Sequence, residues 1–255
     1  MSDIRARPFA CFLRLCRSKL TDAYPFSSNP YVPSLSLSLS LSLSYLFSSS
    51  SRSRYSWDDH QIHAYADDVV PRYITSHAIL DYCTVAGGDK FGNVFVCQLS
   101  DKASQAVEDD PTGGRALSGK GEGCAYKLEL ACHFHLGDTL TAIQRAAMQP
   151  GGKEVLLYAT VQGELGALVP VTSREDVDFL TALEMQLRQV HAPLCGRDHL
   201  SYRSSYVPVR NVIDGCLCEQ FSQLSGDAQR KVGDEIERSP GEIMKKLEDM
   251  RNRIL

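Results

Sequence analysis

The chain has 255 residues, 43% of them hydrophobic and 23% charged, a composition able to bury one or two cores that leaves the fold class open. Its net charge of −4 is unevenly spread: the first 54 residues carry seven basic side chains against two acidic ones, +5, which leaves −9 for the remainder and argues against direct tracking of a phosphate backbone, where lysine and arginine supply the affinity. Nine cysteines without paired spacing point to reduced, buried thiols in the cytosol or nucleus and not to a disulfide framework, and no apolar run reaches the roughly 18 residues of a spanning helix, so no membrane association is expected.

Residues 1–54 form a leader of a different kind. Ser34 to Ser44 alternates serine and leucine without exception and runs into Tyr45, Leu46, Phe47 and the serines Ser48 to Ser51. Such alternation would put every leucine on one face of a strand. It is also what an in-frame CT dinucleotide repeat encodes, so the segment reads as translated microsatellite; transcript reads bridging the Met1 and Tyr55 codons without a break would contradict that. An Arg- and Ser-rich, acid-poor N-terminus can also mimic an organelle transit peptide. On either reading 1–54 is expected to be disordered.

From His60 onward the pattern changes to short β-branched and aromatic runs separated by glycine turns, the signature of strands. Tyr73 to His77 and Ile79 to Ala86 are expected strands, Gly87 to Asn93 a turn, and Val94 to Leu99 the returning strand. The polar, glycine-rich stretch 100–123 reads as a mobile loop. Ala125 to His135 and Thr139 to Gln144 are further strands. A second hairpin runs from Val155 to Val161, through a turn at Gln162 to Gly166, into Ala167 to Val171. The two hairpins share a Thr-Val-x-Gly skeleton, Thr84 to Gly87 against Thr160 to Gly163. Repeated hairpins that cannot cover their own faces suggest propeller blades, and two blades are too few to close a ring. The predicted fold is therefore mainly β: a leader over 1–54, partial β-propeller blades over 55–172, and a C-terminal α-helical region over 173–255.

That helical region opens at Ser173, an N-cap with Asp176 three residues on, followed by Val177, Leu180, Leu187 and Val190 at helical spacing and closed by Pro193. Further helices are expected over Asp214 to Leu224 and Asp227 to Arg238. A last one starts at Ser239, with Pro240 at its first position, Glu242 completing a capping box, and an apolar face of Ile243, Leu247, Met250 and Ile254.

Motifs that could carry chemistry are incomplete. Gly114-x4-Gly119-Lys120 is followed by Gly121 where a phosphate-binding loop needs Ser or Thr for magnesium. His133 and His135 share a strand face, but without a partnering carboxylate or thiol they read as satisfied histidines and not as a chelate. Cys216-x-Cys218 lacks the two-residue spacer of zinc and redox motifs. Asp58-Asp59, Asp67-Asp68 and Asp109-Asp110 are adjacent pairs, which point to opposite strand faces. Asp89-Lys90-Phe91-Gly92 and Gly196-Arg197-Asp198-His199 read as turns. No catalytic residue, cofactor or metal is predicted, and the protein is not expected to be an enzyme.

The segment Pro193 to Phe221, with Leu194-Cys195-Gly196-Arg197-Asp198-His199 and Leu217-Cys218-Glu219-Gln220-Phe221, closely resembles the C-terminal region of the splicing factor 3B subunit 3 family, propeller scaffolds of the U2 small nuclear ribonucleoprotein. Tyr65 to Asp68, Val85 to Asn93, Asp109 to Gly113 and Lys246 to Arg251 add to the likeness, which runs from about Tyr55 to the end. The large damaged-DNA-binding protein and the large cleavage and polyadenylation specificity factor subunit share an Ile-Asp-Gly-x-Leu element like Ile213 to Leu217. The chain departs from the family pattern at Cys216, where an acidic residue is usual, and in its leader. The resemblance implies a nuclear, non-enzymatic scaffold in pre-mRNA splicing. Its expected partners are the splicing factor 3b subunits, above all the HEAT-repeat subunit, with small nuclear RNA and pre-mRNA associated indirectly. Arg197, Asp198 and His199 are expected to dock the helical region onto the blades, with Asp214, Phe221 and Leu247 as further structural or interface candidates. The alternatives are an adaptor in DNA-damage recognition or ubiquitin ligation, and a truncated gene product without independent function.

Overall fold

A computed structural model describes residues 9–15, 51–56, 61–81, 83–109, 124, 126–150, 152–192 and 194–252; of 9–15, 51–56, 61–64, 107, 108 and 194 the backbone alone is described. The chain is mainly β, with curled, blade-like sheets followed by helices. One sheet is built on β4 (Ile74–Ile79), β5 (Thr84–Asp89), β6 (Asn93–Gln98) and β7 (Tyr126–His135), paired antiparallel in that order. Beyond β7 lie β3 (Gln61–Asp68), parallel to it, and then β2 (Ser51–Ser56). The other sheet repeats the plan: β8 (Leu140–Ala147), β9 (Glu154–Thr160), β10 (Leu165–Pro170) and β1 (Phe9–Leu15) run antiparallel in turn, with β11 (Val212–Ile213) parallel to β1.

Strands β5 and β6 are buried almost throughout, so their sequence is near-continuously apolar where a half-exposed strand would alternate. One face meets the neighbouring sheet in a core of Ala86, Val94, Val96, Leu140, Tyr158 and Leu168. The other packs Phe95, Cys97 and Leu99 against Ala66, Leu128 and Ala103. Ala103 belongs to α1 (Asp101–Asp109), so the stretch expected as a mobile loop begins with a helix, held by one small buried residue under β6. The remainder of that expected loop, 110–123, lies outside the described residues apart from its flanks.

Three expectations are corrected. Two stretches of the 1–54 leader expected to be disordered carry strand: Phe9–Leu15 lies inside a sheet and Ser51–Ser56 pairs with β3; the Ser/Leu repeat lies outside the described residues. Gly87, Gly88 and Asp89 do not form a turn but continue β5. A Cβ at Gly88 would stand 2.7 Å from Leu140 Cβ, so this glycine admits the neighbouring blade to the backbone, and one at Gly87 would stand 2.6 Å from the ring of Phe95 on the adjacent strand β6. Consequently the hairpins match differently from the Thr-Val-x-Gly skeleton. The equivalent turns are Asp89 to Gly92 and Thr160 to Gly163, each closed by a glycine at φ +84° whose N–H donates to the residue three back, at 3.2 and 3.1 Å.

The C-terminal region contains α2 (Arg174–Val190), α3 (His199–Arg203), α4 (Gly215–Glu219), α5 (Gly226–Ile236) and α6 (Pro240–Asn252), with 3-10 turns at Leu194–Gly196 and Gln220–Gln223. Ser173 caps α2 by accepting from Asp176 N, and at α6 Ser239 N donates to Glu242 while Glu242 N donates to Ser239 Oγ, the reciprocal capping box. Phe179, Leu180, Leu183 and Leu187 of α2 meet Leu217, Phe221, Val232, Ile243, Leu247 and Met250, and this core rests on Val155 and Ala167 of β9 and β10. The helices are thus built onto the outside of the second blade. Ile254, expected on the α6 face, lies outside the described residues.

Candidate functional site: a scaffold surface and the polar clusters that set it

Two buried polar clusters join the helical region to the blades. The first centres on Asp214, fully buried at the N-cap of α4, where Oδ1 accepts from Leu217 N at 3.1 Å. Its Oδ2 accepts from Arg203 Nε at 2.7 Å and pairs with His199 Nε2 at 3.0 Å. Arg203 extends across to β7, donating from Nη1 to the carbonyls of His135 and Leu136, both at 3.2 Å, with its guanidinium over the Phe134 ring. Burial by itself raises the Asp214 carboxyl, but the His199 hydrogen bond and the Arg203 charge outweigh it and hold the group below its ordinary value. A cavity of about 110 Å³ beside this cluster is lined by Arg188, His191, His199, Arg203, Asp214 and Cys216 among others.

The second cluster ties the β5–β6 turn to the segment after α3. Asp89, buried at 0% exposure, accepts from Phe91 N and Asn93 N at 2.9 Å each and from Asn93 Nδ2 at 2.8 Å, and the Tyr206 hydroxyl donates to it as well. Burial and then the Asp89 carboxylate push the Tyr206 hydroxyl up to about 12. Asn93 Oδ1 meets His135 Nδ1 at 2.9 Å, and paired N–H to carbonyl bonds of 3.0 Å between His133 and Arg210 pin the following segment to β7. His133 is fully buried with its ring against Tyr206; burial, and then the Arg72 charge, lower it to about 4. The two histidines of the shared strand face thus enter separate contacts, and among the described residues no group of three or more His, Cys, Asp or Glu is arranged to hold a metal.

Above this cluster lies an aromatic surface. Tyr73, Phe91 and Tyr206 are 63%, 51% and 49% exposed, in edge-to-face contact at centroid separations of 6.0 and 6.3 Å, and the Lys90 ammonium stands 3.7 Å from the Tyr73 ring centroid. Clustered exposed aromatics beside a cation are the composition of a protein-binding surface.

Of the six residues singled out in the sequence, His199 and Asp214 meet in the docking cluster. Asp198 is exposed and caps α3, accepting from Leu200 N and Ser201 N. Arg197 is exposed. Phe221 and Leu247 are core residues of the helical region and offer no surface to a partner. Sequence reasoning missed Arg203, Asp89, Asn93 and Tyr206. Asp89 and Asn93 carried a local signal, as turn-forming residues flanking glycine; Arg203 and Tyr206 lie in no periodic pattern. Cys97 and Cys132 are free, buried thiols that burial pushes up to about 12, which makes them packing groups and not nucleophiles. Among the described residues, no helix is long and apolar enough to cross a membrane.

Comparison of the sequence with known proteins places the chain in one family. Residues 43–223 match the model of the CPSF A subunit region. The chain belongs to that family, on its splicing factor 3B subunit 3 branch. It is 51% identical over 204 residues to spliceosome-associated protein 130 A of Arabidopsis thaliana, 50% identical over 204 residues to a probable splicing factor 3B subunit 3 of Dictyostelium discoideum, and 48% identical over 202 residues to splicing factor 3B subunit 3 of Danio rerio. These alignments cover 79%, 79% and 78% of the chain but only 17%, 16% and 17% of the relatives. The chain therefore spans about a sixth of the length of these family members.

Proposed function

We propose that this chain acts in pre-mRNA splicing as a non-enzymatic interaction scaffold of the splicing factor 3b assembly in the nucleus. The observation that carries the reading is the identity of 48–51% over 202–204 residues to proteins named for splicing. The geometry supports it in kind. The buried ionisable groups of the Asp214 cluster are spent on joining α3 and α4 to β7, which fixes the relation of helices to blades. The exposed aromatic surface of Tyr73, Phe91 and Tyr206 is held by the Asp89 cluster and offers a rigid anchor for a protein partner, the HEAT-repeat subunit in this proposal. With a net charge of −9 over residues 55–255, association with small nuclear RNA and pre-mRNA runs through that partner. Capture of the full tagged chain from nuclear extract tests the reading. Recovery of splicing factor 3b subunits is expected, and a capture that returns none of them contradicts it.

A further inference from the structure

The two sheets share one plan. β8, β9 and β10 correspond in order and direction to β4, β5 and β6, and each set is followed by an antiparallel strand with a parallel strand beyond it: β7 then β3 in one sheet, β1 then β11 in the other. In the first sheet the fourth strand comes from the chain that follows. In the second it does not, because three residues after β10 the chain enters α2 at Arg174. The vacant fourth place is taken by Phe9–Leu15, a segment that precedes residue 43, where the family match begins.

Its pairing is substantial. Phe9 to Leu15 run opposite Pro170 to Leu165, with a register shift between Phe12 and Arg14, while Phe9 and Ala10 pair with Val212 and Ile213. Among the described residues, strand β1 is the only sheet neighbour of β11, so without it the outer edge of β10 and the ladder side of β11 both lose their backbone partners, in a region where Ala167, Leu168, Val212 and Ile213 are all buried. Buried backbone groups left unpaired are costly, and such a slot accepts any extended segment able to supply the missing ladder.

We infer that the gap between β10 and β11 is a strand-acceptor site, and that this chain fills it in cis with its own Phe9–Leu15 segment, completing the second blade from outside the family-matched region. The site recognises an extended seven-residue segment through main-chain hydrogen bonds, antiparallel to β10 and parallel to β11.

Hydrogen exchange on the full chain, read at Leu165–Pro170 and Val212–Ile213 with Thr84–Gln98 of the other sheet as internal reference, tests this. A double A10P/C11P variant removes two consecutive N–H donors from β1. Exchange at Leu165–Pro170 and Val212–Ile213 is expected to accelerate about tenfold or more while the reference stays protected. A variant lacking residues 1–20 is expected to behave likewise and to regain protection when a peptide of residues 7–17 is added. Unchanged exchange at Leu165–Pro170 in the proline variant would overturn the proposal, as would absence of recovery with the peptide. Protection in the unmodified chain should not depend on protein concentration; protection that appears only with dimerisation would assign the strand to a second copy and overturn the cis assignment.

Discussion

Asp214 keeps its carboxylate charged out of water because two donors share one of its oxygens, Arg203 at 2.7 Å and His199 at 3.0 Å. Removing that charge leaves the buried Arg203 guanidinium without its counterion, so Asp214→Asn should cost about 3 kcal/mol in urea unfolding. Asp198→Ala, which removes only an exposed cap, should cost about 1 kcal/mol, and Arg197→Ala should stay within about 0.5 kcal/mol; an Arg197 effect as large as that of Asp214 would contradict the docking role. His133 makes a pH prediction. In the unfolded chain it takes up a proton near 6.5, but in the fold only near 4, because burial and then Arg72 disfavour the imidazolium. Between those values the unfolded state binds more protons, so this contribution to stability is full above pH 6.5 and is lost as pH falls toward 4. Thermal melts should show the midpoint falling over that window, with a shallower fall in His133→Phe; equal slopes would sink the assignment.

Among the elements, the blade contact at β5 makes the sharpest prediction. A methyl group at Gly88 meets the Cβ of Leu140 at 2.7 Å, whereas one at Gly226, at the start of α5, meets nothing within 4 Å. Gly88→Ala should therefore destabilise by about 1–3 kcal/mol and Gly226→Ala should be neutral or slightly stabilising, as measured by chemical denaturation. A tolerated Gly88→Ala would mean that the blades do not approach closely there. The same contrast explains what could be read ahead of the structure. Helices α2 and α6 were legible because capping residues and apolar spacing are local signals. The glycine pair reads locally as a turn because the reason for Gly88, Leu140 of the neighbouring blade, lies some fifty residues away, and the Phe95 ring against Gly87 is set only by the pairing of β5 with β6. Strand β11 has two residues and owes its strand character to β1. The five residues of α3 are fixed by Asp198 at one end and Arg203 at the other. In the candidate site, His199 and Asp214 stood out, but Tyr206 meets Asp89 across 117 residues of sequence, and no spacing rule reaches that far.

At the scale of the whole molecule, the described chain is a blade pair with a helical region bound to it through the Asp214 cluster, the Asp89 cluster and β11. Its surface chemistry follows from that arrangement: Asp89 positions the turn that carries Phe91 and receives the hydroxyl of Tyr206, so two of the three exposed aromatics are anchored to the blades through it. The role proposed for this surface is the binding of a splicing partner. Titration of the purified full chain against the purified HEAT-repeat subunit of splicing factor 3b tests it most directly. Saturable binding is predicted, weakened about tenfold or more by combined Tyr73→Ala, Phe91→Ala and Tyr206→Ala replacement and unchanged by Asp198→Ala. Absence of saturable binding, or binding indifferent to loss of all three aromatics, would contradict the account.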